Sequence, residues 1–221
     1  MSIRAEKARR LMRVRLANQA HVINHIEMVT KKALEIGKKL KENGFKVNLE
    51  LLEIGSYLHD IGRSVTHGVG HAVESARIIK DLGFSEPIIR LVERHVGAGI
   101  TAEEAEKLGL PKRDYIPETL EEKILAYADK FLESELRFKT VNEEQIVERI
   151  DVEFDSIEPT LDRFRRKFGP KSPVVLRLEN LRDEIDFLLD KIKFLTSNTY
   201  FTLGDLYGKK NFSRSSTETL S

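Results

Sequence analysis

The stretch Leu58-His59-Asp60-Ile61-Gly62-Arg63 places a histidine directly before an aspartate at the end of an apolar segment. Both side chains are costly to bury without partners, and a divalent cation is a common partner for such a pair. Residues 49–58 predict a core helix with Asn48 as its N-cap, ending in a left-handed conformation at Gly62. The His59-Asp60 pair would then lie at the C-terminal end of this helix, where both side chains can reach one ion.

The composition limits the kinds of protein that this chain can be. It has 221 residues and is 40% hydrophobic, enough for a core in one large domain or one domain with an appendage. Lys and Arg (37) nearly balance Asp and Glu (36), so the overall charge does not favour nucleic acid or a membrane surface as partner. The absence of cysteine excludes disulfides, thiolate zinc sites and cysteine nucleophiles.

No apolar run is long enough for a transmembrane helix, and no signal-peptide pattern opens the chain. We therefore expect a soluble, cytoplasmic protein. A charged fraction of 33% without cysteine or tryptophan is thermophile-like.

Apolar residues recur at spacings of three and four along most of the chain, and this predicts an all-α fold. The expected helices include 21–42, 71–82 and 120–138. Two capping boxes, Thr101 with Glu104 and Thr119 with Glu122, mark helix starts. The predicted units are a basic N-terminal helix or arm (1–17), a main helical domain (18–140), a C-terminal helical hairpin (141–196) and a flexible tail (197–221).

Four histidines and two aspartates form the candidate site. They fall on at least five predicted segments, several of them at helix ends, where side chains of a bundle can converge. Imidazole and carboxylate ligands suit Mn, Fe, Co, Ni or Zn without choosing among them. Metals held in this way activate water for the hydrolysis of phosphate esters. The residues are His25, His59, Asp60, His71, His95 and Asp129.

The order His25, then His59-Asp60, then Asp129 resembles the HD superfamily of metal-dependent phosphohydrolases. The run from His59 to Gly62 matches the HDIG form of its signature, and residues 18–138 carry the resemblance. The wider run, with Gly97-Ala98-Gly99, is similar to an archaeal HDIG group, for which a cyclic phosphodiesterase of pterin synthesis is a related precedent.

The resemblance implies an HD-domain helical bundle in which His25, His59, Asp60 and Asp129 bind one divalent metal. It also implies a small phosphorylated substrate, with metal-activated water as the nucleophile. His71 and His95 stand where some relatives hold a second metal. Val96 follows His95, where many two-metal members have another histidine, so a second ion and a phosphate contact both stay open.

The expected catalytic residues include three of these candidates and one neighbour. They are Asp60, His71, His95 and Arg63. Arg63 and Lys130 could bind the substrate phosphate, although a surface ion pair is the alternative for Arg63. His67 is a weaker candidate for the site.

Other functions are open from the same sequence. One is a sensor that binds a metal or nucleotide without turnover. Another is an RNA-associated protein that uses the basic residues of the segment 4–15, although a solvated helix with Leu11, Val14 and Leu16 against the body is the favoured reading. The seam from Val174 to Leu195 is filled within the chain or forms a homodimer.

Overall fold

The computed structural model describes residues 2–141 and 144–196, with side chains described outside 133–151 and 191–196. The described chain is mainly helical, which confirms the predicted class. Two short 3-10 segments, Ile61–Ser64 and Asp129–Phe131, follow the third and seventh helices. The α-helices are α1 (Ile3–Arg15), α2 (Ala20–Glu42), α3 (Leu49–Leu58), α4 (His71–Asp81), α5 (Glu86–Glu93), α6 (Ala102–Lys107), α7 (Leu120–Ala128), α8 (Glu158–Phe168) and α9 (Pro173–Thr196).

Local capping fixes several helix starts where the sequence predicted them. The Asn48 side chain accepts a hydrogen bond from the Leu51 amide at 3.0 Å and begins α3. Both predicted capping boxes are formed, at Thr101 for α6 and at Thr119 for α7. Each cap satisfies amides that the first helical turn leaves without partners, so the start depends on few residues.

Gly62 has a different role from the predicted left-handed helix end. Helix α3 ends at Leu58, and Gly62 lies inside the following 3-10 segment without a positive φ. A Cβ on Gly62 would lie 2.2 Å from the His71 carbonyl oxygen and 2.5 Å from the Ser75 amide nitrogen. The glycine is required because the main chain of α4 packs directly against this segment.

The prediction of a helix over 120–138 is wrong beyond Ala128. The chain passes from the second 3-10 segment into β1 (Leu132–Val141), which pairs antiparallel with β2 (Glu144–Glu153). Leu132 lies opposite Glu153 in this ladder. In β1 the apolar residues 132, 136 and 138 are separated by charged ones, and this alternation favours a strand.

The C-terminal helical hairpin therefore begins at α8 rather than at residue 141. Pro159 lies in the first turn of α8, as expected of a helix start. Arg165 pairs with Glu179 at 2.7 Å, and Arg182 pairs with Glu158 at 2.5 Å, so α8 and α9 run antiparallel.

Where its side chains are described, the seam of α9 is filled within the chain, because Leu178, Leu181 and Ile185 are buried in the main core. Homodimer formation stays a prediction. The predicted flexible tail from 197 onward lies outside the described residues.

Two large apolar clusters both contain residues of α2 and α3, and a third, small cluster consists of Ile100, Ala105 and Tyr115. One joins α2, α3 and α7 with α8 and α9. The other packs α1, α4 and α5 against α2 and α3. Packing of α2 against α3 and α7 brings together His25 in the second turn of α2, His59 at the end of α3 and Asp129 at the end of α7.

Helix α1 is part of the fold rather than a loose arm. Ala8, Met12 and Leu16 are fully buried, whereas Val14, predicted to contact the body, is 68% exposed. Within the part of the chain that the structure describes, no helix has both the length and the apolar character needed to cross a membrane.

Candidate metal centre

The Asp60 carboxylate lies at the centre of the site and is 1% exposed. Its oxygen Oδ2 is 3.8 Å from His25 Nε2 and 3.7 Å from His59 Nε2. Asp129 Oδ1 completes this group, at 3.0 Å from His25 Nε2 and 3.9 Å from His59 Nε2. We call His25, His59 and Asp129 the Oδ2 side of Asp60.

The other carboxylate oxygen faces the two further histidines. Asp60 Oδ1 is 2.9 Å from His71 Nε2 and 3.4 Å from His95 Nε2, and the two Nε2 atoms are 3.1 Å apart. We call His71 and His95 the Oδ1 side. Both sides contain ligand atoms close enough together to hold a metal ion: His25, His59 and Asp60 in one group, and Asp60, His71 and His95 in the other.

Main-chain carbonyls set the orientation of three imidazoles. His59 Nδ1 lies 2.7 Å from the Ser56 oxygen, and His71 Nδ1 lies 2.8 Å from the Gly68 oxygen. His95 Nδ1 lies 2.6 Å from the Val92 oxygen. A carbonyl can only accept, so each Nδ1 carries a hydrogen and each ring turns its Nε2 atom towards Asp60. Metal-binding histidines use this arrangement.

Burial and charge favour neutral imidazoles beside ionised carboxylates. Burial lowers the pKa of His59 to about 3 and also lowers the pKa of His95. Burial alone would raise the pKa of Asp60, but contacts with the surrounding histidines outweigh it and hold the pKa well below the ordinary value. Burial is likewise outweighed at Asp129, where the Lys130 charge and His25 lower the pKa. This protonation state is the one that a metal requires.

Two buried atoms in the centre need a partner. His59 Nε2 and Asp60 Oδ1 make no hydrogen bond of regular geometry with any described residue. The Nε2 atoms of His71 and His95 also lie only 3.1 Å apart, while the Nδ1 atom of each ring donates to a main-chain carbonyl. Unpaired buried polar atoms are costly, and a cation between them would satisfy all of these groups. The residues therefore fit a divalent metal.

Arg63 and Lys130 both lie at the rim of the centre. Arg63 Nε donates to Asp60 Oδ2 at 2.5 Å, so its partner is the central carboxylate and not a surface acid. Lys130 is 8% exposed, and its Nζ donates to Asp129 Oδ2. His67 is exposed in the loop before α4, outside the lining of the cleft.

An open cleft of about 430 Å³ leads to the centre. One wall holds His25, His71 and His95, while Thr160, Arg163 and Phe164 of α8 form another. The sequence did not point to these three residues as part of the site. They follow a strand pair that was predicted as helix, and Phe164 was assigned only to the apolar seam.

A family model described as the HD domain matches residues 22–133, which contain all six of the candidate ligands. The chain belongs to the HD-domain family. The uncharacterized protein MJ0778 of Methanocaldococcus jannaschii is 41% identical over 169 residues, covering 76% of this chain and 90% of that relative.

Two longer relatives have another kind of name. The tRNA (cytidine(56)-2′-O)-methyltransferase of Picrophilus torridus is 41% identical over 130 residues, which cover 59% of this chain and 36% of that protein. Its counterpart in Thermoplasma volcanium is 42% identical over 119 residues, which cover 54% of this chain and 34% of that protein.

Among solved structures, the HD domain of the L. monocytogenes phosphodiesterase PgpH aligns with a TM-score of 0.45 at 16% identity. The alignment covers 83% of this chain and 98% of that one.

Proposed function

We propose that the protein is a metal-dependent phosphohydrolase that cleaves a phosphomonoester or cyclic phosphodiester of a nucleotide-like small molecule. The observation that carries this proposal is the position of Asp60 between two sets of histidine Nε2 atoms, with buried atoms on both sides that need a cation. The family membership supports the same conclusion, since HD domains are generally metal-dependent hydrolases.

We place two divalent ions in this centre, with Asp60 as the shared ligand. One would be bound by His25, His59 and Asp129 with Oδ2, and the other by His71 and His95 with Oδ1. A mixed imidazole and carboxylate set suits Mn, Fe, Co, Ni or Zn. Such ions, when bound, lower the pKa of a coordinated water and polarise a phosphate oxygen.

The residues around the centre would hold and orient the reactants. Arg63 and Lys130 bring two cations to the rim of the cleft, where they would bind the phosphate oxygens. Asp60 would orient the attacking water. In the net reaction the water oxygen joins phosphorus, the ester P–O bond breaks, and the leaving oxygen takes up a proton.

The test combines metal content with turnover. Protein purified without chelator is analysed for metal and assayed with phosphomonoesters and 2′,3′-cyclic nucleotides under Mn, Fe, Co, Ni and Zn. We expect close to two ions per chain, and Asp60→Ala should lose both together with turnover. The loss should exceed the roughly 10²–10³-fold that removal of one transition-state donor costs.

Each other outcome has a clear meaning. Absence of metal after reconstitution, or full activity in Asp60→Ala, would refute the proposal. Stoichiometric metal without turnover of any compound would favour the metal- or nucleotide-binding sensor instead. Circular dichroism of Asp60→Ala serves as the control for folding.

A role linked to RNA is the second candidate, because two relatives carry the name of tRNA methyltransferases. Lys7, Arg10 and Arg15 on α1 are exposed. Arg9 and Arg13 contribute less, since both pair with Glu27. The cationic surface of α1 is therefore smaller than the sequence indicated.

Charge reversal tests this candidate better than deletion, because α1 contributes buried residues to the core. Glutamate at Lys7, Arg10 and Arg15 should weaken tRNA binding. It should also reduce the slope of the logarithm of the binding constant against the logarithm of salt concentration by about two to three, since each lost phosphate contact releases one counterion fewer. The matched control reverses Lys31, Lys38 and Lys41, which are exposed on α2. Equal effects in the two triple variants would reject a specific RNA surface on α1.

A further inference from the structure

Helix α8 presents one face to the cleft above the metal centre. Thr160, Arg163 and Phe164 are spaced i, i+3 and i+4, so they share one side of the helix. The helix lies outside the matched HD-domain segment 22–133. The cleft volume of about 430 Å³ falls within the range of small-molecule sites.

Contacts on both sides of this face hold α8 in place. Thr160 Oγ1 donates a hydrogen bond of 2.9 Å to the carbonyl of Lys130, next to the candidate ligand Asp129. Leu161 is fully buried in the main core, and Arg165 bonds Glu179 of α9 at 2.7 Å. Because α8 is fixed at these points, its cleft face is organised before any substrate binds.

The side chains of this face differ in kind from those at the centre. Arg63 and Lys130 are cations beside the ligand carboxylates, where a phosphate would lie. Phe164 offers a half-buried aromatic ring, and the Arg163 guanidinium lies 5.7 Å from the centroid of that ring. A planar cation beside an aromatic ring is suited to stacking with a flat, polar ring system such as a nucleobase.

We propose that Arg163 and Phe164 determine substrate choice by binding the leaving group of the phosphate ester, and that this group is a nucleoside. The base stacks on Phe164, and Arg163 contacts its face or edge. This inference rests on the proposed phosphohydrolase function, but it concerns residues that take no part in holding metal.

Matched variants test the assignment. Arg163→Ala is compared with Arg166→Ala, which removes the same charge from an exposed position outside the cleft. Phe164→Leu is compared with Phe187→Leu on α9, since Phe187 is 65% exposed and lies outside the cleft lining, whereas the ring of Phe168 packs on that of Phe164 at a centroid distance of 5.5 Å.

Two measurements are made on metal-loaded protein. The first is binding of adenosine, guanosine, cytidine and uridine by saturation-transfer NMR titration, which needs no turnover. The second is kcat/KM for nucleoside monophosphates relative to glycerol 2-phosphate, which has no ring.

We expect Arg163→Ala and Phe164→Leu each to weaken nucleoside binding by about 5- to 20-fold, at the lower end of the loss of a stacked base. The ratio of kcat/KM for nucleotide over glycerol 2-phosphate should fall by a similar factor. Both control variants should keep the wild-type values, and metal content should be the same in all five proteins.

Two results would overturn the inference. One is that wild-type protein binds none of the four nucleosides. The other is that Arg163→Ala and Arg166→Ala lower the ratio equally. Failure of the proposed function would look different, because metal content and hydrolysis of every ester would be absent while the nucleoside titration still gave its answer.

Discussion

The two sides of the Asp60 carboxylate are built from different local structures. On the Oδ2 side, His25 lies inside a long helix, and His59 and Asp129 end the helices α3 and α7. On the Oδ1 side, His71 begins α4 and His95 comes two residues after α5. The packing of α2 against α3 and α7 therefore sets the first side, whereas the second depends on the start of α4, which contacts the main chain at Gly62, and on the residues that follow α5.

The largest expected effect separates the two sides directly. His59→Ala should remove the ion of the Oδ2 side, and His71→Ala that of the Oδ1 side, so each variant should retain about one ion per chain. Turnover should fall by about 10²-fold or more in both, because both ions act on the same phosphate. Metal analysis with steady-state kinetics checks this. Loss of both ions in either variant would show that the sides form one indivisible site.

A smaller effect should come from the contact between Gly62 and α4. Gly62→Ala forces a Cβ against the main chain of His71 and Ser75, and we expect a loss of about 1–3 kcal/mol in the free energy of unfolding. The Oδ1 side should lose its metal first, since α4 must move. Urea unfolding and metal titration measure both. Gly68→Ala is the control, because its Cβ would have 3.7 Å to the nearest atom.

The pH dependence of the metal-free protein should reflect both sides, through His59 and His95. Their pKa values are lowered by burial, so below about pH 6.5 the unfolded chain takes up protons that the folded chain does not. The free energy of unfolding should therefore fall as the pH is lowered, by about 1 kcal/mol per pH unit for His59 and in the same direction for His95. Urea titrations between pH 7 and pH 5 test this. His95→Asn should reduce the slope.

The smallest effect concerns the link between α8 and the Oδ2 side. Thr160→Val leaves the Lys130 carbonyl without its 2.9 Å hydrogen bond, and we expect a loss of about 1 kcal/mol in the free energy of unfolding. Metal affinity should fall on the Oδ2 side alone, because Asp129 precedes Lys130. Thr30→Val is the matched control, since the hydroxyl of the buried Thr30 donates to the Ile26 carbonyl within its own helix. Equal loss of metal in both variants would show that the hydrogen bond from α8 does not support the metal centre.

Local signals explain how much of this structure could be predicted from the sequence. Asn48, Thr101 and Thr119 begin helices because capping involves residues only three positions apart. The six candidate ligands were all named, and the fold brings them together around Asp60. Histidine and aspartate in apolar surroundings are a strong signal of a site, since burying them is costly unless a polar group or a metal ion is their partner.

Non-local contacts explain what the sequence left out. The spacing of three and four continued past Ala128 and masked the short alternation in β1, and the pairing with β2 that stabilises this strand is a non-local contact. Glycine is required at position 62 because α4 packs against it. The hydroxyl of Thr160 bonds the carbonyl of Lys130, thirty residues earlier. The wall formed by Arg163 and Phe164 depends on the same long-range packing, so no motif could indicate it.

The close approach at Gly62 also bears on which ions the centre can accept. Gly62 follows Asp60 by two residues, and a Cβ on it would meet the main chain of His71, so moving these two segments apart would require the main chain to shift. Ca²⁺ prefers six to eight oxygen ligands at about 2.3–2.6 Å in a flexible shell, whereas smaller transition-metal ions bind well to imidazole and carboxylate ligands. We therefore expect the close approach at Gly62 to suit a small ion better than Ca²⁺.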